Sequence, residues 1–124
     1  MVLDCANGAM SVVAPEGLRS LGALVTVIHA SPDGRNINDH CGATHTDSLA
    51  AAVVEHGAAL GLAFDGDGDR VIAVDHLGRV VDGDRLMAPA ALQLKEQGAL
   101  RHDPVSVPVL GNLGFPKALA SSGV

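Results

Sequence analysis

Leu60-Gly61-Leu62-Ala63-Phe64-Asp65-Gly66-Asp67-Gly68-Asp69-Arg70-Val71-Ile72-Ala73-Val74 sets an acidic, glycine-rich hexapeptide between two apolar runs. Each run has the length and composition of a buried strand, so the hexapeptide reads as the loop that a strand delivers at its C-terminal end. Asp65, Asp67 and Asp69 alternate with single glycines. Neighbouring carboxylates repel, and such a cluster needs a stabilising partner. A hard divalent cation with oxygen ligands supplies one. The glycines carry no side chain, which lets the backbone curl and aim the carboxylates at one point. Arg70 adds a permanent positive charge whose planar fork suits a phosphate. The local reading is a Mg²⁺ site formed by Asp65, Asp67 and Asp69, with Arg70 as the contact to a phosphorylated ligand.

Competing motifs fail on position. An EF-hand loop places Gly sixth and Glu twelfth; counted from Asp65, those positions hold Arg70 and His76. A dinucleotide fingerprint needs a third glycine, where this chain has Val71. No G-x-x-x-x-G-K-[ST] stretch occurs, so there is no P-loop. A solvated hairpin turn would also use Asp-Gly, but it does not require three aspartates and an arginine in six residues.

Outward from this loop the chain alternates strand and helix patterns. Met1 to Cys5 reads as a short buried strand broken at Asn7-Gly8. Pro15-Glu16 suits a helix start, Leu18 and Leu21 share a face, and Gly22 fits the stop. Leu24 to Ile28 is a second strand, giving a strand-helix-strand unit with a parallel pair. Ala30 to Thr44 is rich in Pro, Asp, Gly and Asn and is long for a bare connector, which points to function or packing. Thr46 is placed to cap a helix with apolar positions Leu49, Ala50, Val53 and Val54, ended by Gly57. After Val71 to Val74, His76-Leu77-Gly78 is a turn, and Arg79-Val80-Val81 returns antiparallel. Asp82-Gly83-Asp84 repeats the acidic spelling, with Asp84 as the expected cap of a helix toward Gln97. Pro89 should kink that helix or displace its start, and Gly98 closes it. Val105 to Leu110 reads as a strand that Pro104 and Pro108 confine to an edge. A turn at 111–114 then leads into a helix from Phe115 to Ser121.

The 124 residues are about one domain's worth of chain, and 48% are hydrophobic, enough for a core. With two Phe and no Trp or Tyr, that core must rest on Val, Leu, Ile and Ala. A net charge of −6 argues against nucleic acid or an anionic membrane surface as partner. No apolar run is long enough to span a bilayer, and no signal-peptide layout opens the chain. Cys5 and Cys41 are then expected as free thiols and the location as cytoplasmic. A zinc site from Cys41, His40 and His45 matches no standard ligand spacing. The chain opens directly in a strand-like run and stops just after a helix-like segment, so it reads as an excerpt of a longer protein.

Several stretches together carry a resemblance. Asp4-Cys5-Ala6-Asn7-Gly8-Ala9, Pro32-Asp33-Gly34-Arg35-Asn36-Ile37-Asn38, Cys41-Gly42-Ala43-Thr44-His45, the Asp65 to Arg70 loop, Val81-Asp82-Gly83-Asp84 and Asn112-Leu113-Gly114-Phe115 occur in that order. In this the chain resembles the bacterial phosphoglucosamine mutases of the α-D-phosphohexomutase superfamily. The resemblance covers essentially the whole chain and corresponds to the second of four domains and the opening of the third. It implies residues 1–103 as a metal-binding domain and 104–124 as the incomplete start of another. It implies interconversion of glucosamine 6-phosphate and glucosamine 1-phosphate through a phosphoserine, feeding UDP-N-acetylglucosamine synthesis. It implies a Mg²⁺ held by Asp65, Asp67 and Asp69, and Arg70 beside the transferred phosphate. The catalytic serine, in a Ser-His-Asn-Pro context, is absent from this sequence. Gly111 stands where the family commonly has Ser.

The fold expected from these readings is α/β: a mixed, mainly parallel sheet flanked by helices, with the acidic loop at a strand's C-terminal end, where open α/β sheets place ligands. Three other functional readings compete. Another phosphohexomutase, acting on mannose or glucose phosphates, would use the same loop. A haloacid-dehalogenase-like phosphatase would need a distal lysine and a second acidic motif, and neither Lys95 nor Lys117 has that context. A non-catalytic divalent-cation-binding module would bind metal without a phosphosugar.

Overall fold

The structure, a computed structural model, describes residues 1–100, 105–106 and 112–123. They divide into two compact units, Met1–Val81 and Asp82–Val124.

The first unit is built on one sheet. Val2–Asp4 forms β1 and Thr26–Ile28 forms β2, joined by helix α1 over Met10–Ser20. Helix α2 covers Asp47–Glu55 and leads to β3 at Leu60–Phe64. Val71–Asp75 forms β4 and Val80–Val81 forms β5. The strand order is β2-β1-β3-β4-β5. β1 pairs parallel with β2 and with β3, whereas β3–β4 and β4–β5 are antiparallel. The sheet is therefore mixed, with four of its five strands pointing one way and β4 reversed.

Strand alternation sends side chains to two faces, each covered by a helix. Val2, Ala63 and Val74 pack with Leu49, Ala52 and Val53 of α2. Leu3 and Cys5, with Leu62 and Phe64, pack with Met10, Ala14 and Leu18 of α1. Small aliphatic residues thus build both cores, as a chain poor in aromatics requires. Gly22 and Gly57, both at positive φ, close α1 and α2. In each case the next amide reaches back to the helix, Ala23 N–H to Leu18 and Ala58 N–H to Val53, which is the Schellman arrangement.

Helix starts differ from the sequence expectation. Helix α1 begins at Met10, not at Pro15, which lies buried inside it. Its first turn is nucleated upstream by Ser11, whose hydroxyl and amide both donate to the Gly8 carbonyl. Thr46 holds the cap position of α2 without a side-chain bond to the helix. Leu24 lies outside β2 and is exposed, since β2 pairs with β1 only from Thr26.

In the second unit, helix α3 spans Gly83–Glu96 and α4 spans Gly114–Ser121. Asp82, not Asp84, caps α3, accepting from the Arg85 N–H at 2.9 Å. Asp84 instead accepts from the Asn112 N–H. Helix α3 runs continuously through Pro89. Its Ala91 packs with Phe115 and Leu119 of α4, flanked by Met87, Ala88, Leu92 and Val105. This pairing puts α3 with α4, so the units divide after Val81, whereas the sequence placed a boundary after residue 103. Of the strand expected over Val105 to Leu110, Val105 and Ser106 have no regular structure. The rest of it and Gly111 lie outside the described residues.

Candidate metal centre

The acidic hexapeptide is the hairpin loop between β3 and β4. The antiparallel ladder runs up to Phe64 opposite Val71. Asp65 and Arg70 extend it by one pair, the Asp65 N–H donating to the Arg70 carbonyl at 3.3 Å. The Gly68 N–H closes the turn on the Asp65 carbonyl at 3.1 Å, with Gly68 at φ +80. Local hairpin geometry, rather than the parallel core, thus sets the loop's shape.

Asp65, Asp67 and Asp69 come together in this loop. Each offers an oxygen, and these atoms lie within 4.8 Å of one another. Asp65 is buried, whereas Asp67 and Asp69 are exposed. An all-carboxylate donor set of this kind fits a hard cation that retains waters, as Mg²⁺ does. Arg70 sits on the inner carboxylate. Its N–H donates to Asp65 Oδ1 at 3.0 Å and its Nε to Oδ2 at 2.7 Å, while Asp69 Oδ1 is 3.6 Å away. Burial pushes the Asp65 carboxyl up, but the Arg70 amide and guanidinium outweigh it and hold the group at about 2. Asp69 moves the other way: its hydrogen bond with Asp65, then the charges of Asp67 and Asp65, raise its pKa. The three carboxylates therefore crowd negative charge into one loop. A bound cation relieves that repulsion.

Two flanking segments close on the back of the loop. The Ala9 N–H donates to the Gly66 carbonyl at 2.8 Å, and a Cβ on Gly8 would overlap that carbonyl. On the other side, a Cβ on Gly66 would lie 2.6 Å from Ile37 Cδ1 and 2.7 Å from Asn38 Nδ2. Met10 fills the space beneath Gly68. Ala6 and Asn7 take left-handed conformations to make this approach. The Ala6 carbonyl accepts from the Asn38 N–H at 2.9 Å.

Sequence reading missed a second cluster. Asp4, His29 and Cys41 also bring ligand-type atoms within 4.8 Å. Both Asp4 oxygens are already engaged: Oδ1 accepts from Ala6 N–H and Oδ2 from Gly42 N–H, each at 2.9 Å. His29 Nδ1 lies 3.0 Å from Oδ2, a close approach without hydrogen-bond geometry. Burial, then the Asp4 charge, pushes the Cys41 thiol up, and burial takes the Cys5 thiol to about 11. Both cysteines are free and buried. Among the described residues, Cys41 groups with Asp4 and His29, not with His40 and His45. The one available signal was Asp4 itself, a carboxylate ending an apolar strand.

Residues 1–78 match the family model for phosphoglucomutase/phosphomannomutase, alpha/beta/alpha domain II. The chain belongs to that family. A phosphoglucosamine mutase of Mycolicibacterium vanbaalenii is 52% identical over 124 residues, covering all of this chain and 28% of the relative. One from Pseudomonas aeruginosa is 59% identical over 119 residues, covering 96% of this chain and 26% of the relative. Among solved structures, a phosphoglucomutase/phosphomannomutase family protein from Burkholderia thailandensis superposes with a TM-score of 0.72 at 28% identity. That match covers 78% of this chain and 22% of the other. The chain thus spans only about a quarter of the length of these phosphohexomutase relatives.

Proposed function

We propose that this chain is the cation-holding segment of a phosphoglucosamine mutase, which interconverts glucosamine 6-phosphate and glucosamine 1-phosphate. The observation that carries the reading is the meeting of Asp65, Asp67 and Asp69 within 4.8 Å, with Arg70 fixed on the buried member. The relatives named phosphoglucosamine mutase, matched along the whole chain, favour glucosamine as the sugar.

Asp65, Asp67 and Asp69 would hold Mg²⁺, which when bound neutralises charge on phosphate oxygens. Asp65, kept ionised by Arg70, would be the buried member of the ligand set and would offer a carboxylate at every physiological pH. Asp67 and Asp69 are exposed, which would leave a held cation accessible to a phosphorylated ligand. The Arg70 side chain is 70% exposed although its Nε is anchored, so the rest of the guanidinium is open to an anion. Phosphoryl transfer is mostly positioning plus electrostatic stabilisation, and these residues supply both. The phosphoserine donor belongs to sequence outside this segment. We therefore expect the isolated chain to bind metal without turnover. The assembled enzyme would serve UDP-N-acetylglucosamine synthesis in the cytoplasm. Among the described residues no helix is long and apolar enough to cross a membrane.

The test is a chimera in which this chain replaces the matching segment of the Pseudomonas aeruginosa phosphoglucosamine mutase. Mg²⁺-dependent turnover of glucosamine 6-phosphate, abolished by Asp67→Asn, is the expected result. A folded chimera without turnover would refute the reading. A preference for mannose or glucose phosphates would favour the other phosphohexomutase activities, which the Burkholderia thailandensis likeness keeps in view.

A further inference from the structure

Among the described residues, Asp4 and Asp65 are the buried charged groups. Asp65 belongs to the metal centre. Asp4 touches none of the three metal aspartates, yet it is fully buried at the end of β1. A carboxylate there is tolerated only when its oxygens are satisfied. They are satisfied by two amides that both lie downstream in the chain, one near and one far. Oδ1 takes the Ala6 N–H two residues on, and Oδ2 takes the Gly42 N–H from thirty-eight residues away. His29, just past the end of β2, brings its Nδ1 to 3.0 Å from Oδ2.

The Gly42 bond has a consequence at the metal loop. Gly42 sits at φ +75, so close to Ala6 and the Phe64 carbonyl that a Cβ would lie 2.6 Å from each. Phe64 immediately precedes Asp65. The segment that Gly42 terminates runs back through Asn38, whose N–H is held by Ala6, to Ile37. Ile37 and Asn38 are the side chains packed against Gly66, between the first two metal aspartates. The contacts run from Asp4 to Ala6 and Gly42, from the Ala6 carbonyl to the Asn38 N–H, and from Asn38 and its chain neighbour Ile37 to Gly66.

We infer that Asp4 is a positioning residue for the metal loop, its carboxylate fastening residues 36–42 so that Ile37 and Asn38 brace Gly66 and fix the spread of Asp65 and Asp67. This gives the long segment between β2 and α2 a role: it is a wall behind the site. The inference rests on the metal reading proposed above. Groups that orient ligands commonly change metal affinity by ~10–100-fold when lost. Asp4 acts through an intervening segment, so the lower end of that range, about tenfold, is expected.

The experiment measures Mn²⁺ binding by electron paramagnetic resonance on the full chain and its Asp67→Asn, Asp4→Asn and Ile37→Ala variants. Thermal melting without metal is recorded for each. Measurements are made well below every melting temperature. Asp4→Asn keeps the size of the side chain but turns an N–H₂ donor toward one of the two amides. The expected result is loss of binding in Asp67→Asn and about tenfold weaker binding in Asp4→Asn, with a smaller loss in Ile37→Ala. A lower melting temperature with unchanged Mn²⁺ affinity in Asp4→Asn would make Asp4 a purely structural tie and overturn the inference. If Asp4→Asn does not fold, Ile37→Ala decides, because Ile37 is half exposed and its truncation leaves the core intact. Wild-type affinity in that variant would then overturn the brace. No binding by wild type, or equal binding by Asp67→Asn, would instead overturn the metal reading and the inference with it.

Discussion

Arg70 holds one carboxylate twice: its N–H donates to Asp65 Oδ1 at 3.0 Å and its Nε to Oδ2 at 2.7 Å. The main-chain bond survives any substitution at position 70 except proline, and the Nε bond does not. A lysine there has a single ammonium, which can reach Asp65 or an incoming phosphate but cannot bridge them as a planar fork does. In a full-length protein carrying this segment, Arg70→Lys should lower kcat by roughly 10²–10³, the usual loss for one electrostatic contact to the transition state. The melting temperature should fall little, because the hairpin keeps its backbone bonds. Near-normal turnover would reduce Arg70 to a neutraliser of its aspartate neighbours. A large drop in melting temperature with intact kcat would recast it as a loop fastener.

Asp67 separates metal binding from folding. It is exposed and makes no side-chain hydrogen bond among the described residues, so its replacement should leave stability almost untouched. Calorimetry should show weak Mg²⁺ binding by the chain and no measurable heat for Asp67→Asn. Equal heats would remove the hairpin from the metal assignment.

The contrast between Asp67 and Asp4 shows what the sequence made legible. β3, its loop and β4 could be read because the signal is local: an apolar run, a turn and a second apolar run. Gly22, Gly57 and Gly98 marked helix ends because a left-handed residue there is a local steric demand. Helix starts were harder. Pro15 and Asp84 fit the first-turn preferences, but Ser11 on Gly8 and Asp82 on Arg85 made better hydrogen bonds upstream. The three clustered aspartates were visible in six consecutive residues. The wall behind them was not, because Gly42 meets Asp4 across thirty-eight residues and no periodicity encodes that pairing.

Gly8 and Gly17 offer a paired test of close approach. Gly8 lies against the Gly66 carbonyl, with no room for a Cβ. Gly8→Ala must push the metal loop outward and should cost about 1–3 kcal/mol, as overpacking does. Gly17 lies inside α1, exposed, and a Cβ there would meet nothing within 4 Å. Gly17→Ala should therefore stabilise by about 0.5–1 kcal/mol through helix propensity alone. Urea denaturation of both variants checks the signs. A neutral Gly8→Ala would mean that the loops are not pressed together as the structure places them.

Asp75 predicts a pH dependence that is separate from the metal loop. It ends β4 and closes the turn into β5. Oδ1 accepts from the N–H groups of Leu77 and Arg79 at 2.9 and 3.0 Å, and Oδ2 lies 2.8 Å from Arg79 Nε and 2.7 Å from Nη2. The Arg79 guanidinium first, then its amide, hold the carboxyl at about 2 against the effect of burial. In the unfolded chain the same group titrates near 3.9, so on acidification the unfolded state takes up the proton first. The contribution of Asp75 to stability is therefore complete above about pH 5, drains away as the pH falls from there, and is gone below about 2. Asp75→Asn removes this titration while leaving an oxygen for one of the amides. Wild type should be the more stable protein at pH 7, and the gap should close steadily toward pH 2.5. Because the other acidic groups titrate in both proteins, the difference between their urea midpoints isolates this residue. Arg79 is largely exposed, so the gap at pH 7 should also shrink in high salt. A gap that keeps its full size at pH 2.5 would show that neither Arg79 nor the turn amides hold the Asp75 carboxyl below its unfolded value.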